Sequence, residues 1–405
     1  MTHLGEPSHP FVSPIDERGS TAYVFVISAV AAVGGLLFGF DTAIIAGAIE
    51  FVRTHFALDP MQEGWAVGSL LIGCMVGAAS AGIIADRFGR KKVLLITAAL
   101  YIISAVLAGI PRTLQELVIA RFLGGLAVGI SSMVSPMYIA EIAPARIRGA
   151  LVTLNQMAIV TGILLANLAA GLLVDTGENN WRYMFASAAV PSLLLLVALF
   201  AVPESPRWLA KQGLSDRALA ILARVGGRSH AEVELGEIQT ALAEEGGAFR
   251  ELFGPGLRVA LVIGVVLAVL GQISGINTVI YYAPKIFLKA GYAETSSATW
   301  ANVMVGTTNF VITIVSLAVI DRIGRKALLM IGTAGMAVSM AVAGMYLTSE
   351  TVSLAVKVAA ILLYIASFGL GVGGVVWVVI AEIFPTKIRG RAVSVATVAV
   401  WAACY

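Results

Sequence analysis

Charge is scarce in this chain. Asp, Glu, Lys and Arg make up 13% of its 405 residues, against 59% apolar residues and a mean hydropathy of +0.91. Water-soluble domains carry about a quarter of their residues charged, so this composition excludes a protein bathed in water on all sides. Cysteine is scarcer still. Cys74 lies in an apolar run and Cys404 next to the last residue, which excludes a disulfide framework and Cys-rich metal spacing. The four histidines, His3, His9, His55 and His230, fall outside the apolar runs, removing the commonest proton relay and metal ligand from them. No nucleophile–base pair, metal cluster or phosphate loop is present, so no enzyme, cofactor or metal is expected. A net charge of +3 is too small to attract nucleic acid. Residues 1–20 are polar and lack the apolar core of a cleavable leader, so the first apolar run is expected to stay.

What is abundant is long apolar runs. About 20 such residues suffice for a helix to cross a bilayer core. Runs near 22–47, 64–84, 91–110, 115–140, 151–174, 182–202, 256–288, 296–319, 326–347 and 353–381 predict ten spans. An eleventh begins near Arg391 and is cut off at Tyr405. The fold class expected is therefore an all-α polytopic membrane protein. The polar stretch from Pro203 to Phe253 repeats its apolar residues at helical spacing over Ser215 to Val225 and Ala231 to Leu242, predicting a helical linker. That divides the chain into a bundle at 1–202, a linker at 203–255 and a second bundle at 256–405. Most of the 27 Lys and Arg residues fall on the side of the N-terminus and the linker, so both are expected in the cytoplasm.

Two motifs recur in the same order. Asp86-Arg87-Phe88-Gly89-Arg90-Lys91 returns as Asp321-Arg322-Ile323-Gly324-Arg325-Lys326. Ala140-Glu141-Ile142 through Arg148-Gly149 returns as Ala381-Glu382-Ile383 through Arg389-Gly390. Such a duplication implies two parallel halves with a substrate site between them at mid-depth. The glycines permit a tight turn, and the arginines are in reach of Glu141 and Glu382. Arg87, Arg90, Glu141, Arg148, Asp321, Arg325, Glu382 and Arg389 are accordingly expected to form a cytoplasmic gate of charge-assisted pairs. Ordinary positive-inside anchoring is the alternative.

On these repeats, together with Gly35-Leu-Leu-Phe-Gly-Phe-Asp41, Pro203-Glu-Ser-Pro-Arg-Trp208, Gln272-Ile-Ser-Gly-Ile-Asn277 and Tyr281-Tyr282-Ala-Pro284, the chain resembles the sugar porters of the major facilitator superfamily. The resemblance runs from about Gly34 to Trp401. It implies two pseudo-symmetric six-helix bundles, so the second bundle is expected to be incomplete here. It also implies an integral protein of a bacterial cytoplasmic membrane whose partners are a sugar or polyol, a proton and the lipid bilayer.

Asp41 and Arg121 stand well inside apolar runs, where an unpaired charge costs several kcal/mol. Counted from span ends near 47 and 115 they lie at matching depth, so a pair is expected. The resemblance implies that this pair couples transport to protons. A static pair fixing helix register is the alternative, and with it an uncoupled facilitator or a sugar-sensing receptor. For the substrate, amide side chains match hydroxyls and aromatic rings match the apolar face of a sugar ring. Gln156, Gln272, Asn277, Tyr281, Asn309 and Trp377 supply these groups, and the resemblance adds Phe38. Helix–helix packing is the competing role for each. The chain departs from the family at Ile163, Gly271, Gly374 and Val400, where amides or a proline are common, so fewer hydroxyl contacts are expected.

Overall fold

The computed structural model of the chain describes residues 19–244, 254, 257–349, 351–384 and 386–405. Every regular element among them is helical. This follows from the solvent, since hydrocarbon offers no partner to a backbone amide and a helix satisfies each amide within its own segment. The first group comprises α1 (Thr21–Phe56), α2 (Pro60–Phe88), α3 (Arg90–Gly109), α4 (Leu114–Ile142), α5 (Arg148–Leu173), and α6 (Asn180–Ser187) continued by α7 (Ala189–Ala201). Three shorter helices follow, α8 (Pro206–Lys211), α9 (Ser215–Gly226) and α10 (Arg228–Glu244). The second group comprises α11 (Arg258–Ile273), α12 (Ile276–Ala290), α13 (Thr295–Ile323), α14 (Arg325–Tyr346), α15 (Leu354–Phe368), α16 (Gly374–Ile383) and α17 (Thr386–Cys404). Ten of the described helical segments are long and apolar enough to cross a membrane.

Local signals set the ends. Ser20 caps α1 by accepting from the Tyr23 amide, and α2 opens on a capping box of Asp59 and Gln62 with Pro60 in its first turn. The expected spans recur with one notable extension. α1 runs to Phe56 rather than ending near 47, because Glu50 and Arg53 pair one turn apart and let the helix continue past its apolar stretch.

Packing within the first group rests on small residues. Gly73 and Gly77 of α2 meet Gly125 and Gly129 of α4 so closely that a Cβ on Gly73 would collide with the Phe122 carbonyl, and one on Gly125 with the Leu70 carbonyl. α1 and α5 meet the same way, through Gly39 against Ile159 and Gly162 against Leu36. In the second group two spans are interrupted. α11 and α12 are separated at Gly275, whose φ of 91° is a left-handed conformation that suits glycine. α15 and α16 are joined by a π-helical segment, Gly369–Gly373.

The two groups touch mainly toward the end away from α8–α10. There Lys285 of α12 donates to Glu63 of α2, Asn167 of α5 and Asn302 of α13 bond reciprocally at 3.1 Å, and Ser296 donates to Asp175 at 3.0 Å. The Trp300 ring lies against Gly171 at 3.1 Å from where a Cβ would stand.

A substitution series checks this packing. Gly125→Val should destabilise the protein by about 1–3 kcal/mol and lower its melting temperature in detergent. Gly82→Ala, where a Cβ meets nothing within 4 Å, should leave melting unchanged. Equal melting of the two variants would contradict the contact.

Candidate functional site

Asp41 and Arg121 meet, as the sequence predicts, though not through the depth argument, since α1 ends at Phe56. Arg121 Nη1 donates to Asp41 Oδ1 at 3.0 Å and to the Asp41 carbonyl at 3.1 Å, and both side chains are buried. The guanidinium also lies over the Phe185 ring, 5.5 Å from its centroid. The pair is incompletely satisfied. Asp41 Oδ2 and Arg121 Nε have no partner among the described residues. Gly124, three residues beyond Arg121, makes the space: a Cβ there would stand 2.6 Å from Asp41 Oδ2. Sequence reasoning passed over Gly124, although its spacing places it on the Arg121 face.

Burial adds three charges to the two read from the apolar runs. Glu63, Arg90 and Lys357 are all buried, with Lys357 Nζ donating to the Ala290 carbonyl at 2.9 Å. Arg90 was already expected in the gate, whereas the burial of Glu63 and Lys357 escaped notice because they lie at helix ends, outside the most apolar windows.

The expected substrate residues fall into two clusters and two outliers. Across the break at Gly275, Asn277 Nδ2 donates to Gln272 Oε1 at 2.6 Å. Gln272 and Trp377 line one cleft with Phe368, Val372, Gly373 and Val400. Phe38 packs on Trp401 with ring centroids 5.3 Å apart, and Tyr281 OH lies 3.7 Å from Cys404 Sγ. Phe38 and Tyr281 thus meet α17, joining the two groups of helices. Asn309 is buried facing Gly369 and is not among the cleft residues, while Gln156 is half-buried on α5. Trp401, whose buried indole N–H has no partner among the described residues, was read from the sequence only as the limit of the resemblance.

The repeated motifs adopt one geometry twice. Gly89 and Gly324 have φ of 91° and 89° and donate to Ala85 and Ile320. Asp86 pairs with Arg90, and Asp321 with Arg325, both at 3.0 Å. Arg90 then grips Glu141 through two bonds of 2.9 and 2.8 Å, and Arg325 reaches Glu382 at 2.7 Å. Each pair stays within its own half. The other expected members behave differently. Arg87 stacks over Phe88 at 5.4 Å, because its place in the last turn of α2 faces outward. Arg148 turns from Glu141 to the Ala143 carbonyl at 3.2 Å and to Glu234 of α10 at 3.4 Å. Burial holds the Glu234 carboxyl above its usual range, against the opposing pull of His230 and Arg148. The Arg389 side chain lies outside the described residues.

The first motif carries a cover from the segment after α7. Glu204 Oε1 accepts from the Arg90 and Lys91 amides at 2.9 and 3.0 Å, capping α3 where Gly89 offers no side chain. Ser205 Oγ donates to Glu141, Tyr138 OH to the Pro203 carbonyl at 2.6 Å, and Trp208 Nε1 to the Asp86 carbonyl at 2.9 Å. The Arg90 and Glu141 side chains are 6% and 9% exposed, against 33% and 53% for Arg325 and Glu382.

Ten helical segments long and apolar enough to cross a membrane, a buried carboxylate–guanidinium pair and an amide-and-aromatic cleft suit a membrane carrier. The family model for "Sugar (and other) transporter" matches residues 27–405, and the chain belongs to that family. It is an integral membrane protein with the major facilitator fold. It is 40% identical over 397 residues to the arabinose-proton symporter of Bacillus subtilis (strain 168), covering 96% of this chain and 85% of that protein. It is 40% identical over 420 residues to the D-xylose-proton symporter of Escherichia coli (strain K12), covering 95% and 84%. Its fold is similar to the partially occluded inward open conformation of the xylose transporter XylE from E. coli, with a TM-score of 0.84 and 38% identity over 95% of this chain and 90% of that one.

The cap donated from outside the bundle is testable. Glu204→Ala should cost about 1–2 kcal/mol, read as a lower melting temperature, and should speed limited proteolysis between α7 and α9. Unchanged digestion would show that Pro203–Trp208 docks without it.

Proposed function

We propose that this chain is a secondary active transporter that moves a sugar or polyol together with a proton across a bacterial cytoplasmic membrane by alternating access. In this reading 1–202 and 256–405 are the two bundles and 203–255 is a cytoplasmic linker, with the N-terminus on the same side. The observation that carries the coupling is the Asp41–Arg121 pair. Ionised Asp41 is held by Arg121, and its free Oδ2 is where a proton adds. Protonation cancels the charge, releases Arg121 and removes the attraction between α1 and α4, so the halves can rearrange. Each inward proton contributes about 2.3 kcal/mol per 100 mV of membrane potential.

The sugar is read by the amides of Gln156, Gln272, Asn277 and Asn309, with Phe38, Tyr281 and Trp377 against its ring. The paucity of other polar groups in the Gln272–Trp377 cleft supports a substrate that makes few hydroxyl contacts on that wall. Contacts between halves toward the end away from the linker support an inward-facing arrangement, in keeping with the similar XylE structure. Arg90–Glu141 and Arg325–Glu382 lock each half internally on the cytoplasmic side. As a cytoplasmic gate, such charge-assisted pairs close that face in one state and break in the other. No catalytic chemistry is assigned to any residue.

Proteoliposomes test the coupling. With an inward proton gradient the protein should accumulate labelled xylose or arabinose, and Asp41→Asn should abolish accumulation while preserving exchange. Equal accumulation by Asp41→Asn would remove Asp41 from the mechanism, and sugar equilibration without accumulation by the unaltered protein would favour an uncoupled facilitator.

A further inference from the structure

The second group's first span is broken twice, and a charge sits just past the second break. After Gly275, α12 loses helical geometry again at Tyr282, with φ −117° and ψ 17°, and Pro284 follows within the same turn. The short piece between the breaks bears Asn277 and Tyr281. Immediately beyond, Lys285 Nζ donates to both carboxylate oxygens of Glu63, at 2.7 and 2.8 Å, and lies 5.9 Å from the Tyr282 ring centroid. Glu63 belongs to the first turn of α2, so this bond crosses from one half to the other at the end away from the linker.

We propose that Glu63 and Lys285 form a latch that positions the outer piece of α12 and biases the carrier toward the state closed at that end. The proposal rests on the transporter reading and adds two positioning residues to it. The Glu63 side chain is 6% exposed and that of Lys285 is 34% exposed. Such a pair gives up hydration when it forms and regains it when the halves part, so its net effect is modest. A modest bias is what a carrier tolerates, because its two states must remain close in free energy to interconvert. The latch is also joined to the site. Tyr281 lies four residues before Lys285, and its hydroxyl reaches Cys404 of α17. Release of Lys285 frees the piece beyond Tyr282, which adjoins the piece that carries Tyr281, so opening at this end reaches the contact between α12 and α17.

Double electron–electron resonance tests the latch without any sugar. Spin labels at Gln62→Cys and Ala293→Cys, on exposed positions beside the two partners, report the separation across this end in protein carrying Cys74→Ala and Cys404→Ala. Without further change a short distance should dominate. Glu63→Gln and Lys285→Met should each raise the long-distance population about fivefold. The exchanged pair, Glu63→Lys with Lys285→Glu, should restore the short distance. A merely structural contact predicts lower stability in the single variants with an unchanged distance distribution, and that result overturns the latch. Single variants that open and an exchanged pair that stays open also overturn it, since the charges would then not be acting on one another. Should the exchanged pair fail to fold, the two single variants decide. Absence of any sugar uptake by the unaltered protein would remove the transporter reading instead, whereas unchanged distances in a protein that transports sugar would remove the latch alone.

Discussion

A carboxylate and a guanidinium buried between α1 and α4 constrain the rest of this molecule. Neither ion is stable alone in a lipid-embedded bundle, so the two helices must be held close enough for a 3.0 Å bond. Gly34 of α1 sits against Ser135 of α4, and further glycine seams pack the neighbouring helices around the two. Gly39 and Gly162 bring α5 onto α1, while Gly73, Gly77, Gly125 and Gly129 lock α2 to α4. Gly124 gives room to the carboxylate itself. The pair still leaves one oxygen and one N–H without partners among the described residues. A finished salt bridge would be a fixture, whereas an unfinished one retains a place for a proton.

The duplicated motifs show how one local solution serves two settings. A left-handed glycine, an acid four residues before an arginine and a glutamate from a following span assemble identically in both halves. The first copy is roofed by Glu204, Ser205 and Trp208, which descend from the segment after α7. The roof ties α3, α4 and the linker helices into one unit, and Arg148 extends it to Glu234. Spans are interrupted in both halves, between α6 and α7 in the first and at Gly275 and Gly369–Gly373 in the second.

Much of this was open to a reading of the sequence. Spans were readable because hydrocarbon demands about 20 apolar residues in a row. Span ends were less so, since hydropathy reports contact with lipid and not continuation of the helix; α1 continues to Phe56 on an intrahelical ion pair. Asp41 with Arg121, and Arg90 with Glu141, could be paired because charge in an apolar setting needs an opposite charge. The Glu204 cap and the Glu63–Lys285 bond join residues 114 and 222 positions apart, and no periodicity encodes such contacts. Arg148 and Arg87 went elsewhere because nearness in sequence does not fix which way a side chain leaves its helix. Trp401 lay in view, but its role against Phe38 depends on how α17 packs on α1.

The account turns on charge moving with sugar. Proteoliposomes on a solid-supported membrane, given a step of xylose or arabinose with no pH difference, measure that directly. Proton coupling at Asp41 predicts a transient positive current into the vesicles with each sugar step, together with uptake of the sugar. Sugar uptake with no accompanying current or change in internal pH would contradict it.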